Sequence, residues 1–206
     1  LEGQVLGVAY DGTGYGPDGA AWGGELLLAD YAGFERLATF RPIPLAGGDI
    51  AIRQVWRLAL ALLDDAFDGD PPLARLPLFG GIPERERTVV RQMIASGFNT
   101  ALGHGVGRYF DAFGAIGLGR PFSAYEGQVA LEWNLAADNT EPSAYTFHII
   151  MESTPWTVDL RPAVREAVND LLAGRGASLI SARFHTALIR APAHLLREAF
   201  ARHGPL

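Results

Sequence analysis

Apolar positions change their spacing near residue 48. Val5 to Tyr10 is a short apolar run closed by Asp11 and Gly12, and Trp22 to Ala29 is a second one. Runs of this length, bounded by Asp, Gly and Pro, predict buried strands. The two are expected to pair as a hairpin with a long glycine-rich connection, and a third short strand is expected near Phe40 to Leu45. No strong alternation follows.

From Asp49 onward the spacing is helical. Val55, Leu58 and Leu62, with Trp56, Ala59 and Leu63, give a broad apolar face over Ile50 to Phe67, and Asp49 stands where a side chain can cap the first turn. Pro83 opens a helix over Glu84 to Ser96 whose first turn holds acids, as the helix dipole favours. Tyr109, Ala112, Phe113 and Ile116 share a face over Gly107 to Leu118. Asp138 to Ser143 is polar and predicts a loop. Asp159 is placed to cap Leu160 to Ala173, which Gly174 and Gly176 end. Ile180, Phe184 and Leu188 mark a helix over Ala177 to Arg190; Pro192 is expected to interrupt it before a last helix to about Arg202. The expected class is α+β: a small antiparallel sheet in a glycine-rich strand region, 1–48, then a mainly helical region, 49–206, together part of one domain.

Composition narrows the class further. Of the 206 residues, 49% are hydrophobic and 19% charged, a globular balance. No apolar run approaches the roughly 18–20 residues of a spanning helix. Leu58 to Leu63 stops at Asp64 and Asp65. No basic segment precedes an apolar core at the N-terminus, so no signal peptide is expected. A first residue of Leu rather than Met is expected of a segment of a longer protein. Cysteine is absent, which excludes disulfides and thiolate metal ligands and fits a cytoplasmic setting. The net charge of -6 argues against broad nucleic-acid binding. The 25 glycines cluster at Gly12 to Gly24, Gly47–Gly48, Gly80–Gly81 and Gly103 to Gly119, the pattern of loop chemistry rather than of a flexible tail.

Three of these clusters carry candidate chemistry. In Asp11 to Gly19, the glycines at 12, 14 and 16 let backbone N–H groups approach an anion, Thr13 adds a hydroxyl, and Asp11 ends a strand where a carboxylate can face a cation. The same residues also suit a plain Asp/Gly hairpin turn. No Gly-Lys-Ser/Thr follows, so this is not a Walker loop. Pro17 and a strand follow, not a helix, so it is not a dinucleotide fingerprint. The second cluster, Gly47-Gly-Asp49 with Arg53 and Arg57, is either a turn with a capped helix or a helix N-terminus facing an anion. The third contains Asp111 between Phe110 and Phe113: it lies on a solvent face, or it is a buried carboxylate with partners, open to a ribose hydroxyl. The nearby Gly114 and Gly117 admit a ligand or another helix. The histidines 104, 148, 185, 194 and 203 show no i, i+3 or i, i+4 pair, and His185 is expected to be structural. No Gly-x-Ser-x-Gly elbow is present.

In order, Val8-Ala-Tyr-Asp-Gly-Thr-Gly-Tyr-Gly16, Trp22-Gly-Gly-Glu25, Gly47-Gly-Asp49 with Trp56-Arg57, Gly107-Arg-Tyr-Phe-Asp111, Tyr125-Glu-Gly127 and Ala182-Arg-Phe-His185 resemble the C-terminal domain of HypF-family carbamoyltransferases. Ala46 stands where that family more often has Pro. The resemblance covers essentially the whole chain. It implies an actin-like ATPase fold related to the enzymes that make threonylcarbamoyladenosine. It implies a parent enzyme that makes carbamoyl-adenylate from carbamoyl phosphate and ATP in a neighbouring domain. Here the carbamoyl group would pass to the C-terminal cysteine of HypE in nickel–iron hydrogenase maturation. By position it makes Asp11 a ligand of a divalent metal (iron or magnesium), Gly12, Thr13 and Gly14 contacts to the nucleotide phosphates, Asp111 the ribose-binding acid and Gly127 a second nucleotide contact. The family pattern expects a His-x-x-x-His helix before residue 1 and a Gly-Gly-rich strand after Leu206, so this chain alone is expected to be inactive. Two other functions stay open: a non-catalytic nucleotide-binding or structural fragment, and an O-carbamoyltransferase acting on a small-molecule hydroxyl.

Overall fold

Residues 3–204 are described by a computed structural model; Leu1 and Glu2, on which the signal-peptide expectation partly rests, lie outside them. Strands β1 (Val5–Tyr15) and β2 (Ala21–Ala29) form the expected hairpin, but only β2 is buried, β1 being half-buried or exposed throughout, and β1 runs through the glycine-rich stretch so that only Gly16 to Ala20 turns. The ladder absorbs the extra residues as a bulge: Tyr10 faces Gly24, Gly14 faces Trp22, and the register shifts between them. Beyond Ala29 come β3 (Phe34–Phe40) and β4 (Ile43–Ala46), where one strand was expected; Arg41 and Pro42 interrupt the extended run between them.

Among the described residues seven strands form one sheet, which keeps the α+β class but is larger than the small antiparallel sheet expected. Three strands come from beyond residue 48: β5 (Thr100–Gly103), β6 (His148–Ile150) and β7 (Trp156–Asp159). The order is β4-β5-β2-β3-β7-β6, with β1 beside β2; the β2/β5 and β3/β7 pairs are parallel and the others antiparallel. Strands of three or four residues are too short to show alternation, which is why the sequence conceals them.

The expected helix over Ile50 to Phe67 is two helices, α1 (Asp49–Arg53) and α2 (Trp56–Ala66). Asp49 does not cap by its side chain; Gly48 holds the cap position, and Gly47 and Gly48 both take positive φ. The break at Gln54 and Val55 has a distant cause. Trp56 N–H donates to Pro121 O at 3.2 Å and Ser123 N–H to Arg53 O at 2.8 Å, so segment 121–123 satisfies groups that a continuous helix would pair internally. α2 is buried from Leu58 to Leu63, and Asp64 and Asp65 end the apolar run on bidentate pairs with Arg91 and Arg41.

Helix α3 (Glu84–Ser96) falls where Pro83 predicts it. α4 (Val106–Leu118) begins one residue earlier than expected, and α5 (Gln128–Ala136) was not expected at all. Val129, Leu131, Trp133 and Leu135 alternate as in a strand, yet only Val129 and Trp133, one helical turn apart, are buried. α6 (Arg161–Leu172) starts just after Asp159, whose Oδ1 accepts the Arg161 N–H at 2.9 Å. α7 (Ala177–His203) runs unbroken through Pro192, against expectation. An interior proline costs about 3 kcal/mol; the buried face of Phe184, Leu188, Ala191, Leu195 and Ala199 carries the helix past it.

The core is tightest where α4 meets α5. A Cβ on Gly117 would sit 2.4 Å from Trp133 Cζ3, and one on Gly114 would sit 2.8 Å from Val129 Cγ1. These glycines therefore admit a helix. Gly117→Ala sets helix propensity, a gain of about 1 kcal/mol, against overpacking of a fully buried indole, a cost of about 1–3 kcal/mol. Urea unfolding should show a net loss of stability, whereas a gain would mean that the α4/α5 contact has slack.

Candidate functional site

The site is built on a backbone crossing. At the bulge, β1 passes over Gly23 of β2 and over the first turn of α4. A Cβ on Gly105 would lie 2.2 Å from Gly12 O, one on Gly107 would lie 2.6 Å from Gly12 Cα, and one on Gly23 would lie 2.7 Å from Asp11 O. Side chains at these positions would push the segments apart, so the glycines serve first to let backbone meet backbone.

Asp11 is exposed on this bulge, and its Oδ1 accepts the N–H of Gly12 at 2.6 Å. Thr13 is exposed beside it, and Gly14 returns to the ladder opposite Trp22. Among the described residues no three His, Asp or Glu side chains gather into a metal-binding group, so Asp11 belongs to no such group here.

Asp111 is fully buried on α4, which removes the solvent-face alternative. Its Oδ2 lies 2.9 Å from Arg108 Nη1, one turn away and itself buried, yet the pair is not aligned as a hydrogen bond. Both carboxylate oxygens, with Arg108 Nε and Nη1, lack hydrogen-bond partners among the described residues. Burial pushes the Asp111 carboxyl up to about 6, against the opposing pull of Arg108; Glu126 adds a smaller upward push.

Arg108 brings the expected residues together. Its Nη2 stands 3.0 Å from where a Cβ of Gly12 would be and 3.7 Å from Glu126 Oε1. Gly127, next to Glu126, has φ +80 at the N-cap of α5, which only glycine adopts without strain. One guanidinium thus contacts the bulge, Asp111 and the residue before Gly127. Asp11 and Thr13 are carried on the same bulge, but no hydrogen bond or ion pair among the described residues joins their side chains to Asp111. The signal for Arg108 was present in the sequence: a lone cation three residues before an acid, in an otherwise apolar helix.

The second cluster is structural. Arg57 binds Gln54 Oε1 at 2.7 Å and Ala46 O at 3.2 Å, and Arg53 binds Ala124 O at 3.1 Å, so both arginines hold loops of this chain. His185 is structural, as expected: Nδ1 meets Ser181 O at 2.7 Å and Nε2 meets Asn134 Oδ1 at 3.1 Å, and the ring packs on Phe110. No helix among the described residues is long and apolar enough to cross a membrane.

Sequence and fold comparisons agree. The family model "Carbamoyltransferase, Kae1-like Domain, second subdomain" matches residues 7–205. Carbamoyltransferase HypF of Rhodobacter capsulatus is 45% identical over 142 residues, 68% of this chain and 18% of that protein. A carbamoyltransferase HypF homolog of Cupriavidus necator is 34% identical over 217 residues, 99% of this chain and 52% of its own length. Full-length HypF, crystallised in a phosphate- and nucleotide-bound form, matches with a TM-score of 0.90 at 31% identity, over 99% of this chain and 26% of that one. HypF of T. kodakarensis matches with a TM-score of 0.78 at 28% identity, over 98% of this chain and 27% of that one. The chain thus spans between 18% and 52% of the length of these proteins. The matched fold is the actin-like ATPase fold of a Kae1-like carbamoyltransferase. By sequence and by fold, the chain belongs to the HypF carbamoyltransferase family, within the second subdomain of its Kae1-like domain.

Proposed function

We propose that this chain supplies part of the nucleotide-facing wall of an ATP-dependent, cytoplasmic HypF-type carbamoyltransferase. The parent protein would move a carbamoyl group from carbamoyl-adenylate to the C-terminal cysteine of a HypE-like acceptor in nickel–iron hydrogenase maturation. The observation that carries this function is the convergence on Arg108, where the Gly12 bulge, Asp111 and Glu126 beside Gly127 meet one buried guanidinium. Those are the segments assigned to the nucleotide phosphates, the ribose and a second nucleotide contact. A relative of the same fold crystallised in a phosphate- and nucleotide-bound form supports a parent that binds nucleotide.

The residues fit such a ligand in chemistry. Asp111 has two carboxylate oxygens without hydrogen-bond partners, and with a pKa of about 6 it is ionised at neutral pH and can accept from a ribose hydroxyl. Arg108 covers it, so a ribose would reach Asp111 as the guanidinium moves aside toward the phosphates. The bulge offers the Thr13 hydroxyl and a glycine backbone that lets an anion come close. Asp11 uses Oδ1 on Gly12 and keeps Oδ2 for a cation. A divalent metal held in part by Asp11 would polarise the carbamoyl carbonyl. Asp11 is proposed as one ligand of a set completed by other parts of the parent.

Asp11→Asn in the full-length parent should lower carbamoyl transfer at least a hundredfold, about 2.7 kcal/mol of transition-state stabilisation, and leave carbamoyl-adenylate formation intact. Transfer at the wild-type rate would mean that Asp11 holds no metal. The 206-residue chain alone should neither retain stoichiometric metal nor carbamoylate a HypE C-terminal peptide; elemental analysis and mass spectrometry of the peptide check both.

Asp111→Asn should weaken nucleotide binding ten- to a hundredfold, the loss of one charge-assisted hydrogen bond of about 1.5–3 kcal/mol; unchanged affinity by calorimetry would take Asp111 out of the site. The same variant tests its burial. A carboxyl with a folded pKa of about 6, above its unfolded value, binds protons that the unfolded chain has released. Its contribution to stability is therefore greatest in acid and declines as the pH rises from about 4 to about 6. Asn removes that dependence, so the stability of the variant relative to wild type should rise by roughly 1–3 kcal/mol between pH 4 and pH 7. A pH-independent difference in urea midpoints would show that the carboxyl is solvated.

A further inference from the structure

β2 carries a charge where its neighbours are apolar or glycine. Glu25 stands between Gly24 and Leu26 and is 3% exposed. Its Oε2 accepts the N–H of Gly23 and the N–H of Gly24, each at 2.7 Å. Its Oε1 accepts from Arg36 Nη2 at 3.1 Å and from Thr39 Oγ1 at 3.4 Å. A buried carboxylate is costly unless its oxygens are partnered, and here both are.

The two N–H groups it takes belong to the residues against which the site is pressed. Tyr10 pairs with Gly24 and Gly14 with Trp22, so Gly23 lies opposite the bulge at residues 11–13. Gly23 has φ +143, and a Cβ there would meet Asp11 O at 2.7 Å and Gly105 Cα at 3.1 Å; a Cβ on Gly24 would meet His104 O at 2.4 Å. The strand is bent back onto its own side chain at the place where the Asp11 carbonyl rests on it. Arg36 extends the clamp to the turn. Its Nη1 reaches Asp18 Oδ2 at 2.9 Å, its guanidinium lies 4.0 Å from the centre of the Trp22 ring, and Trp22 Nε1 donates to Asp18 Oδ1 at 2.9 Å.

We propose that Glu25 is a positioning residue for carbamoyl transfer, a role that rests on the reading of Asp11 given above. It fixes the backbone of Gly23 and Gly24, and through them the bulge that carries Asp11 to Gly14, without touching nucleotide or acceptor. In the full-length parent, Glu25→Gln removes the charge and puts an amide donor where one acceptor oxygen stands, so the two donors that met that oxygen lose their acceptor. Transfer should fall ten- to a hundredfold in kcat with little change in KM for the acceptor, while carbamoyl-adenylate formation is unchanged. In the Asp11→Asn background the same substitution should cost less than twofold, because the residue it positions is already disabled. Hydrogen exchange should quicken at residues 10–14 and 22–25 and nowhere else.

Transfer within twofold of wild type, or losses from Asp11→Asn and Glu25→Gln that simply multiply, would overturn the proposal. If Asp11→Asn itself leaves transfer intact, the reading of the site fails instead, and exchange at 10–14 still decides whether Glu25 holds the bulge. Should Glu25→Gln not fold, Arg36→Lys and Thr39→Val loosen only Oε1 and should give the same pattern more weakly; wild-type behaviour in both would count against the clamp.

Discussion

The fold depends on one close crossing of backbone. At Gly12, β1 passes over β2 and the start of α4 with no space for a Cβ on Gly23, Gly105 or Gly107. Sheets and helices normally keep their backbones apart by the thickness of their side chains. Where that layer is removed, the first turn of α4 and the hairpin are held as one unit. Groups carried on the bulge then have fixed positions relative to groups on α4, which a site formed from both requires.

α4 also ties this crossing to the rest of the core. Its first turn meets Gly12 and carries Arg108, its second turn carries Asp111, and its last turns pack through Gly114 and Gly117 on Val129 and Trp133 of α5. Phe113 and Trp133 both pack against Phe184 of α7. A shift of α4 to make room at one end would be felt at the other, because close-packed interiors do not deform locally.

Two buried carboxylates in this region are treated differently. Glu25 has partners on both oxygens, from backbone, Arg36 and Thr39, and so works as a fixed strut. Asp111 has a charge beside it but no aligned hydrogen bond, and its carboxyl is pushed up to about 6. Full satisfaction rigidifies, whereas incomplete satisfaction leaves a group able to take a further partner. The contrast separates a residue that holds the site from one suited to bind within it.

Much of this was legible from local signals. α3 falls over Glu84–Ser96 because its signals, Pro83 and the acids of its first turn, are local to the segment. The hairpin, α4 and α6 were legible for the same reason, as were the stretches that carry the candidate residues and the family they resemble. Tertiary structure alone decided the split of α1 from α2, since the groups that satisfy the break come from residues 121–123. It carried α7 through Pro192, made a helix of the alternating Val129 to Leu135, and assembled β5, β6 and β7 from segments too short to show a period. It also determined that Asp111 is buried against Arg108 and that Glu25 lies beneath the bulge. The sequence by itself determined which residues could take each role, because propensity, glycine conformation and apolar spacing act within a few residues. Which neighbours those residues meet depends on contacts between distant segments, and that is where the burial, pairing and charge of the site are set.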